Sequence, residues 1–255
     1  MKVFCLCENT PFGDGFAFEH GLSLFIQTQK FNILFDFGQS DAFLKNAKKL
    51  GVDLSKVDFA ILSHGHYDHG NGLKWFFEEN NNCKVYAHKD TFGNFFHREK
   101  YIGLDGKINK NRFYFLSHDL TLGEGVRILV SRENKFPLDD CDMWIGRKDI
   151  PDDFTHEIYL EIEEDGKKYL FSGCAHKGIL NILDWFSPDY FFGGLHLSHH
   201  TPVVNNEKLY CIKSQLEKKE VKIYTGHCTG IEQFNYLKSS LPLEYISSGK
   251  VITIN

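Results

Sequence analysis

No stretch of this chain is apolar for long enough to span a bilayer, so a helical integral membrane protein is excluded as a reading. The opening Met1-Lys2-Val3-Phe4-Cys5-Leu6-Cys7 is too short an apolar run for a secretory leader. Glu8-Asn9-Thr10-Pro11 breaks it at once, and no export signal is expected. Basic residues are not in excess. The net charge is −5, with a pI near 6.2. Phosphate-backbone binding needs clustered Lys and Arg, so nucleic acid is not expected as the main partner. An even-numbered disulfide framework is also missing. The seven cysteines lie scattered and read as free thiols of a reducing cytoplasm, with one or two open to a functional role. Low-complexity segments, short repeats and linker-like composition shifts are absent, so residues 1–255 read as a single domain.

What is present is ordinary globular material. The chain has 255 residues, 42% hydrophobic and 25% charged, enough for an ample core. Its 24 Phe are spread along the chain, as core and pocket lining would be. Strands are expected at 2–7, 22–28 and 31–35, with a hairpin at Gln29-Lys30. Ser40 can cap a helix that runs through Leu50 and stops at Gly51. Further strands are read at 57–62, 84–87, 113–116, 126–130, 157–163, 167–172, 190–192, 221–225 and 251–254. Asp165-Gly166 is a strong hairpin signal between two of them. Helices are expected at 72–79, from 178 to about 186, at 206–219 and at 231–239. Two stretches read as irregular. Residues 131–155 are rich in Asp and Pro. Residues 88–110 are aromatic, and are either a surface excursion packed by its own rings or a flap over a substrate. This order of elements suits two packed sheets with helices outside.

The most informative stretch is Ser63-His64-Gly65-His66-Tyr67-Asp68-His69-Gly70. Neutral imidazole and carboxylate are ligands for zinc, and also for iron or manganese. His64 and His66 are i and i+2, so in an extended segment both project to one side and can grip one ion. Asp68 and His69 follow after the chain turns and can face a second ion beside the first. Gly65, Gly70 and Gly72 permit the tight backbone this needs. The bland alternative is a loop of surface histidines.

This HxHxDH run resembles the signature of the metallo-β-lactamase superfamily. The resemblance implies an α/β (α+β) αββα four-layer sandwich, with the metal site at one edge between the two sheets. It implies further ligands on loops that follow apolar strands, and two such loops qualify. In Ser172-Gly173-Cys174-Ala175-His176, Cys174 fills the slot where the superfamily usually has a bridging Asp, and His176 lies two residues on. A buried thiol is otherwise often just a small hydrophobe. In Thr225-Gly226-His227-Cys228, His227 takes the final ligand position, and Cys228 beside it is expected to point elsewhere. The implied set is therefore His64, His66, Asp68, His69, Cys174, His176 and His227, holding two divalent ions. Zinc is the first expectation, with iron or manganese as the alternatives.

The chain departs from the superfamily pattern before the 157–163 strand, where a third-motif His is usual. Asp152 or Asp153 stands near that place, and His176 is favoured as the replacement. His156 is read as a surface residue or one that supports a ligand. Asp36, at the end of an apolar strand, is implied as the carboxylate that holds the histidine loop. The Glu19-His20-Gly21 and Gly193-Gly194-Leu195-His196 runs, with the Gly-Cys-x-His loop, resemble the subgroup of dihydropterin ribofuranosyl-aminobenzene phosphate synthase-like proteins. His20 and His196 are candidates for contact with metal or substrate, against a structural role at a turn. His199 and His200 are read as solvated or pocket-rim residues.

The resemblance implies a cytoplasmic enzyme, a metal-dependent hydrolase. Metal-activated water would attack a small ester, thioester, lactone, amide or phosphodiester, and Asp68 would both ligate metal and take a hydrogen bond from that water. Two alternatives stand beside it: a pterin-type transferase, and a non-catalytic metal- or ligand-binding sensor. A small-molecule substrate is expected, a nucleic-acid or membrane partner is not, and homo-oligomerisation is left open.

Overall fold

The structure is a computed structural model, and it describes residues 1–139, 142–146 and 150–254. Two seven-stranded sheets pack face to face. The first runs in the order Val251–Thr253, Lys2–Cys7, Ser23–Gln27, Asn32–Phe35, Phe59–Ile61, Val85–His88, Phe113–Leu116. The second runs Leu243–Tyr245, Lys222–Thr225, Tyr190–Phe192, Lys167–Phe171, Ile158–Glu164, Val126–Val130, Leu120–Gly123.

The inner faces meet through Val3, Leu24, Ile33 and Phe35 on one side and Ile128, Leu160, Phe171 and Tyr224 on the other, all buried. Phe171, Phe192 and Tyr224 stack across three neighbouring parallel strands, with ring centroids 4.8 and 4.6 Å apart. Each such pair contributes about 0.5–1.5 kcal/mol beyond its area. The outer face of the first sheet is covered by helices Ala42–Leu50 and Leu73–Glu79, through Phe43 and Phe76. The outer face of the second is covered by Ile179–Phe186, Glu207–Leu216 and Ile231–Lys238. The αββα layering expected from the resemblance is thus what the chain forms. Among the described residues, no helix is long and apolar enough to cross a membrane.

Strand direction places the site. Asn32–Phe35, Phe59–Ile61 and Val85–His88 run parallel, as do Lys167–Phe171, Tyr190–Phe192 and Lys222–Thr225. The loops leaving their carboxyl ends carry Asp36, the histidine run, Cys174 and His176, His196 and His227, so they gather along one edge of the sandwich. Parallel strands buried on both faces read as continuous apolar runs, which is why these segments were legible.

The hairpins at Gln29-Lys30 and Asp165-Gly166 form as expected. The second has φ of 53° and 71° at its two turn residues, the positive values a type I′ turn requires. Gly51 ends its helix in the left-handed conformation at φ 70°. Outside the two stretches read as irregular, the strands Leu120–Gly123 and Leu243–Tyr245 had no counterpart in the sequence reading.

The two stretches read as irregular are also corrected. Phe95–His97 and Lys100–Tyr101 from the first join Met143–Ile145 and Ile150–Pro151 from the second in a small four-stranded sheet. Strands of two or three residues are too short to show a period of two, and the pairing of Phe95–His97 with Met143–Ile145 that joins the two halves spans over forty residues. Residues 140, 141 and 147–149 of the second stretch lie outside the described residues.

Candidate metal centre

The histidine loop is held from behind by one buried carboxylate. The Ser63 N–H donates to Asp36 Oδ1 at 2.8 Å, and the Ser63 hydroxyl donates to Asp36 Oδ2 at 2.7 Å. His69 Nδ1 lies 2.6 Å from the same Oδ2. The loop then passes so close to its neighbours that no side chain fits at Gly65. A Cβ there would collide with the Thr91 carbonyl oxygen and the Phe95 ring. The Gly65 N–H donates to His156 Nδ1 at 3.1 Å. The chain turns at His66 into the short helix Tyr67–Gly70, which re-aims Asp68 and His69.

Donor atoms then converge in overlapping sets. His64, His66 and His176 place theirs within 4.8 Å of one another, as do His64, His69 and Cys174. His20, Asp68 and His227 make another such set. His64 Nε2 and His176 Nε2 are 3.3 Å apart, and His69 Nε2 lies 3.1 Å from His227 Nε2 and 3.2 Å from Cys174 Sγ. Asp68 Oδ2 is 3.3 Å from His227 Nε2 and 3.1 Å from His20 Nε2. His66 Nε2 and His176 Nδ1 are buried with no hydrogen-bond partner. Buried polar nitrogens are rarely left so. A ring of imidazole nitrogens with lone pairs facing inward is chemically suited to a divalent cation.

The electrostatics agree. Burial, reinforced by neighbouring imidazoles, pushes His64, His66 and His176 well below the ordinary histidine range, so they are neutral and able to donate lone pairs. Burial alone would raise the Asp68 carboxyl, but His69, His20 and His227 outweigh it and hold the group well below the usual carboxylate range. Burial would likewise lower His69, yet Asp36 and Asp68 on either side push it up to about 9. The space between those carboxylates favours positive charge.

Several positioning residues were not picked out from the sequence. Asn9 Oδ1 lies 2.9 Å from His227 Nδ1 and accepts from the Gly21 N–H at 3.2 Å. Glu8, fully buried, accepts from the His227 N–H at 2.7 Å and from the Tyr245 hydroxyl at 2.9 Å. Glu157, also fully buried, accepts from the His176 and Lys177 N–H groups and the Tyr159 hydroxyl. Of these, Asn9 had a positional signal, since it lies just past an apolar strand as the histidine run does. Asp36, Ala175, His196 and His227 all have φ between 51° and 60°, although none is glycine. Such conformations cost roughly 1–3 kcal/mol each and cluster where function over-determines the backbone.

The remaining expectations resolve individually. Asp152 is buried 3.1 Å from His156 Nε2, and its donor groups with His66 and His156 rather than with His64. Asp153 is exposed and accepts from Thr155 in a local turn, so it stands away from the cluster. His156 is not a surface residue. It is buried and stacked on Phe95 at 4.0 Å. His200 is buried against Asp139 at 2.9 Å rather than solvated, whereas His199 lines the pocket. Cys228 does not point elsewhere: it lies beside Cys174 and lines the same pocket. His196 packs against His176 with centroids 4.3 Å apart. The pocket is an open cavity of about 490 Å³. His97, Lys100 and Met143 of the small sheet form one wall, so part of the aromatic excursion lines the site, while its Phe96 and Tyr101 rings also pack on each other at 5.5 Å.

An αββα sandwich with histidine, carboxylate and thiol donors at its edge defines a class of metal-site protein. Residues 17–227 match the profile of the metallo-beta-lactamase superfamily, and the chain belongs to that superfamily. It is 30% identical, over 98% of both chains, to an uncharacterized protein of Methanocaldococcus jannaschii. It is 28% identical to the 7,8-dihydropterin-6-methyl-4-(beta-D-ribofuranosyl)-aminobenzene-5'-phosphate synthase of the same organism, over 99% of this chain and 96% of that one. It is also similar to the crystal structure of a metal-dependent hydrolase of the beta-lactamase superfamily, with a TM-score of 0.85, 26% identity, and coverage of 100% and 99%.

Proposed function

We propose that this chain is a metal-dependent hydrolase with two adjacent divalent cations, zinc before iron or manganese, acting on a small ester, thioester, lactone or phosphodiester. The observation that carries this reading is the convergence of His64, His66 and His176 beside Asp68, His69 and His227, with His66, Asp68, His176 and His227 lining one open cavity. The first three residues would hold one ion and the second three the other, with Cys174 Sγ between them at the place of the usual bridging carboxylate. When bound, such ions supply hydroxide at neutral pH by lowering the pKa of water, and they polarise the bond under attack.

The chain's own groups do the rest. Asp68, held ionised, would orient a water by accepting its hydrogen bond through the oxygen that faces His20 and His227. Asp36, Asn9 and Glu157 fix the imidazoles and the Cys174–His176 loop, so little reorganisation is left for the reaction. The small sheet carrying His97 and Lys100 walls one side of the cavity. We place the protein in the cytoplasm as a small-molecule enzyme.

A second reading, a transferase, is favoured by the 28% identity along almost the whole length to a protein named as a synthase. The two are separated by metal content together with turnover on phosphodiester, lactone and thioester substrates. At least two ions per chain with hydrolysis supports the first. Metal without hydrolysis moves the assignment to the second, to be followed by a pterin-binding assay.

A further inference from the structure

Cys228 and His196 have no part in the two sets just described, yet both line the same cavity. Together with Cys174 they place donor atoms within 4.8 Å of one another. The approach is built into the backbone. Cys228 Sγ lies 3.5 Å from the Cys174 carbonyl oxygen, and a Cβ on Gly194 would collide with that sulfur. His196 is held at φ 51° just after the Gly193-Gly194 turn, a conformation that a non-glycine residue adopts at a cost.

We propose that Cys174, Cys228 and His196 form a further, thiolate-rich site for a soft divalent cation of the zinc type, adjoining the imidazole–carboxylate sets. Two thiolates and an imidazole select thiophilic ions over the hard ones that carboxylates prefer. Zinc lies about 2.3 Å from sulfur and about 2.0 Å from nitrogen, so three donors within this separation can share one ion. Structural zinc sites are closed by four protein ligands, whereas three ligands and an open position mark a site that admits water or substrate. Here the open direction is the cavity. Cys174 Sγ is also 3.2 Å from His69 Nε2, so its sulfur sits between this site and the neighbouring one.

The test is a cadmium titration of chelator-stripped, reduced protein, following thiolate-to-metal charge transfer in the ultraviolet and the number of equivalents bound. The wild type is expected to show the absorption of two thiolates. Cys228→Ala is expected to halve that absorption and remove one equivalent, and His196→Asn to weaken the same equivalent. His66→Ala should leave the absorption intact while removing a different equivalent, so failure of the hydrolase reading would be seen separately. Cys228→Ser, which keeps the residue's size, serves if the alanine variant does not fold by circular dichroism. An unchanged absorption and stoichiometry in folded Cys228 variants overturns the site and leaves Cys228 as packing.

Discussion

Asp36 and His69 meet at 2.6 Å, Oδ2 to Nδ1, with both side chains wholly buried. The same carboxylate takes two hydrogen bonds from Ser63. One group therefore sets both the tautomer of His69 and the entry of the histidine loop. Asp36→Ala should leave His69 free to rotate and weaken cation binding by roughly 10–100-fold, as loss of supporting carboxylates commonly does. A competition titration against a zinc chelator measures this, and an unchanged affinity in a folded variant would show that Asp36 does not orient His69.

Asn9 supports His227 on the opposite side, at 2.9 Å from Nδ1. It does not touch His64, His66 or His176. Asn9→Ala should therefore loosen the ion held by Asp68, His69 and His227 while sparing the other. Zinc binding isotherms would resolve this as one weakened step beside an unchanged step at His64, His66 and His176. Equal weakening of both steps would contradict the division of donors into two sets.

Gly65 is required by crowding and not by backbone angle. Its φ is not among the positive ones, but an added methyl group would meet the Thr91 carbonyl oxygen and the Phe95 ring. Gly65→Ala should cost about 1–3 kcal/mol, the range for overpacking a well-filled interior. Urea unfolding of the two proteins checks it. A variant as stable as the parent would mean that the loop can move away freely.

Much of the site was legible because its parts lie on loops that follow runs of apolar residues, even where the strand itself is short. Phe59–Ile61 runs into Ser63-His64, Lys167–Phe171 into Cys174, and Lys222–Thr225 into His227. Residue type and spacing there carry the chemistry directly. What was not legible depends on packing between distant segments. Phe95–His97 becomes a strand only by pairing with Met143–Ile145, and neither piece is long enough to signal by itself. Glu8 and Glu157 look like ordinary charges in the sequence, and become anchors only because folding buries them against the backbone N–H groups of His227 and His176. Cys228 was misread for a related reason. Adjacent residues in an extended chain point apart, but His227 has φ 51° and opens a 3₁₀ turn, so both side chains face the cavity.

The most direct measurement is the metal content, by elemental analysis, of wild-type and His66→Ala protein purified without added metal. Two divalent ions per chain from the imidazole–carboxylate sets, with a further one where the Cys174–Cys228–His196 site is filled, are expected in the wild type, and close to one is lost in a folded His66→Ala variant. Wild-type protein without stoichiometric metal, or a His66→Ala variant with the full complement, would contradict the account.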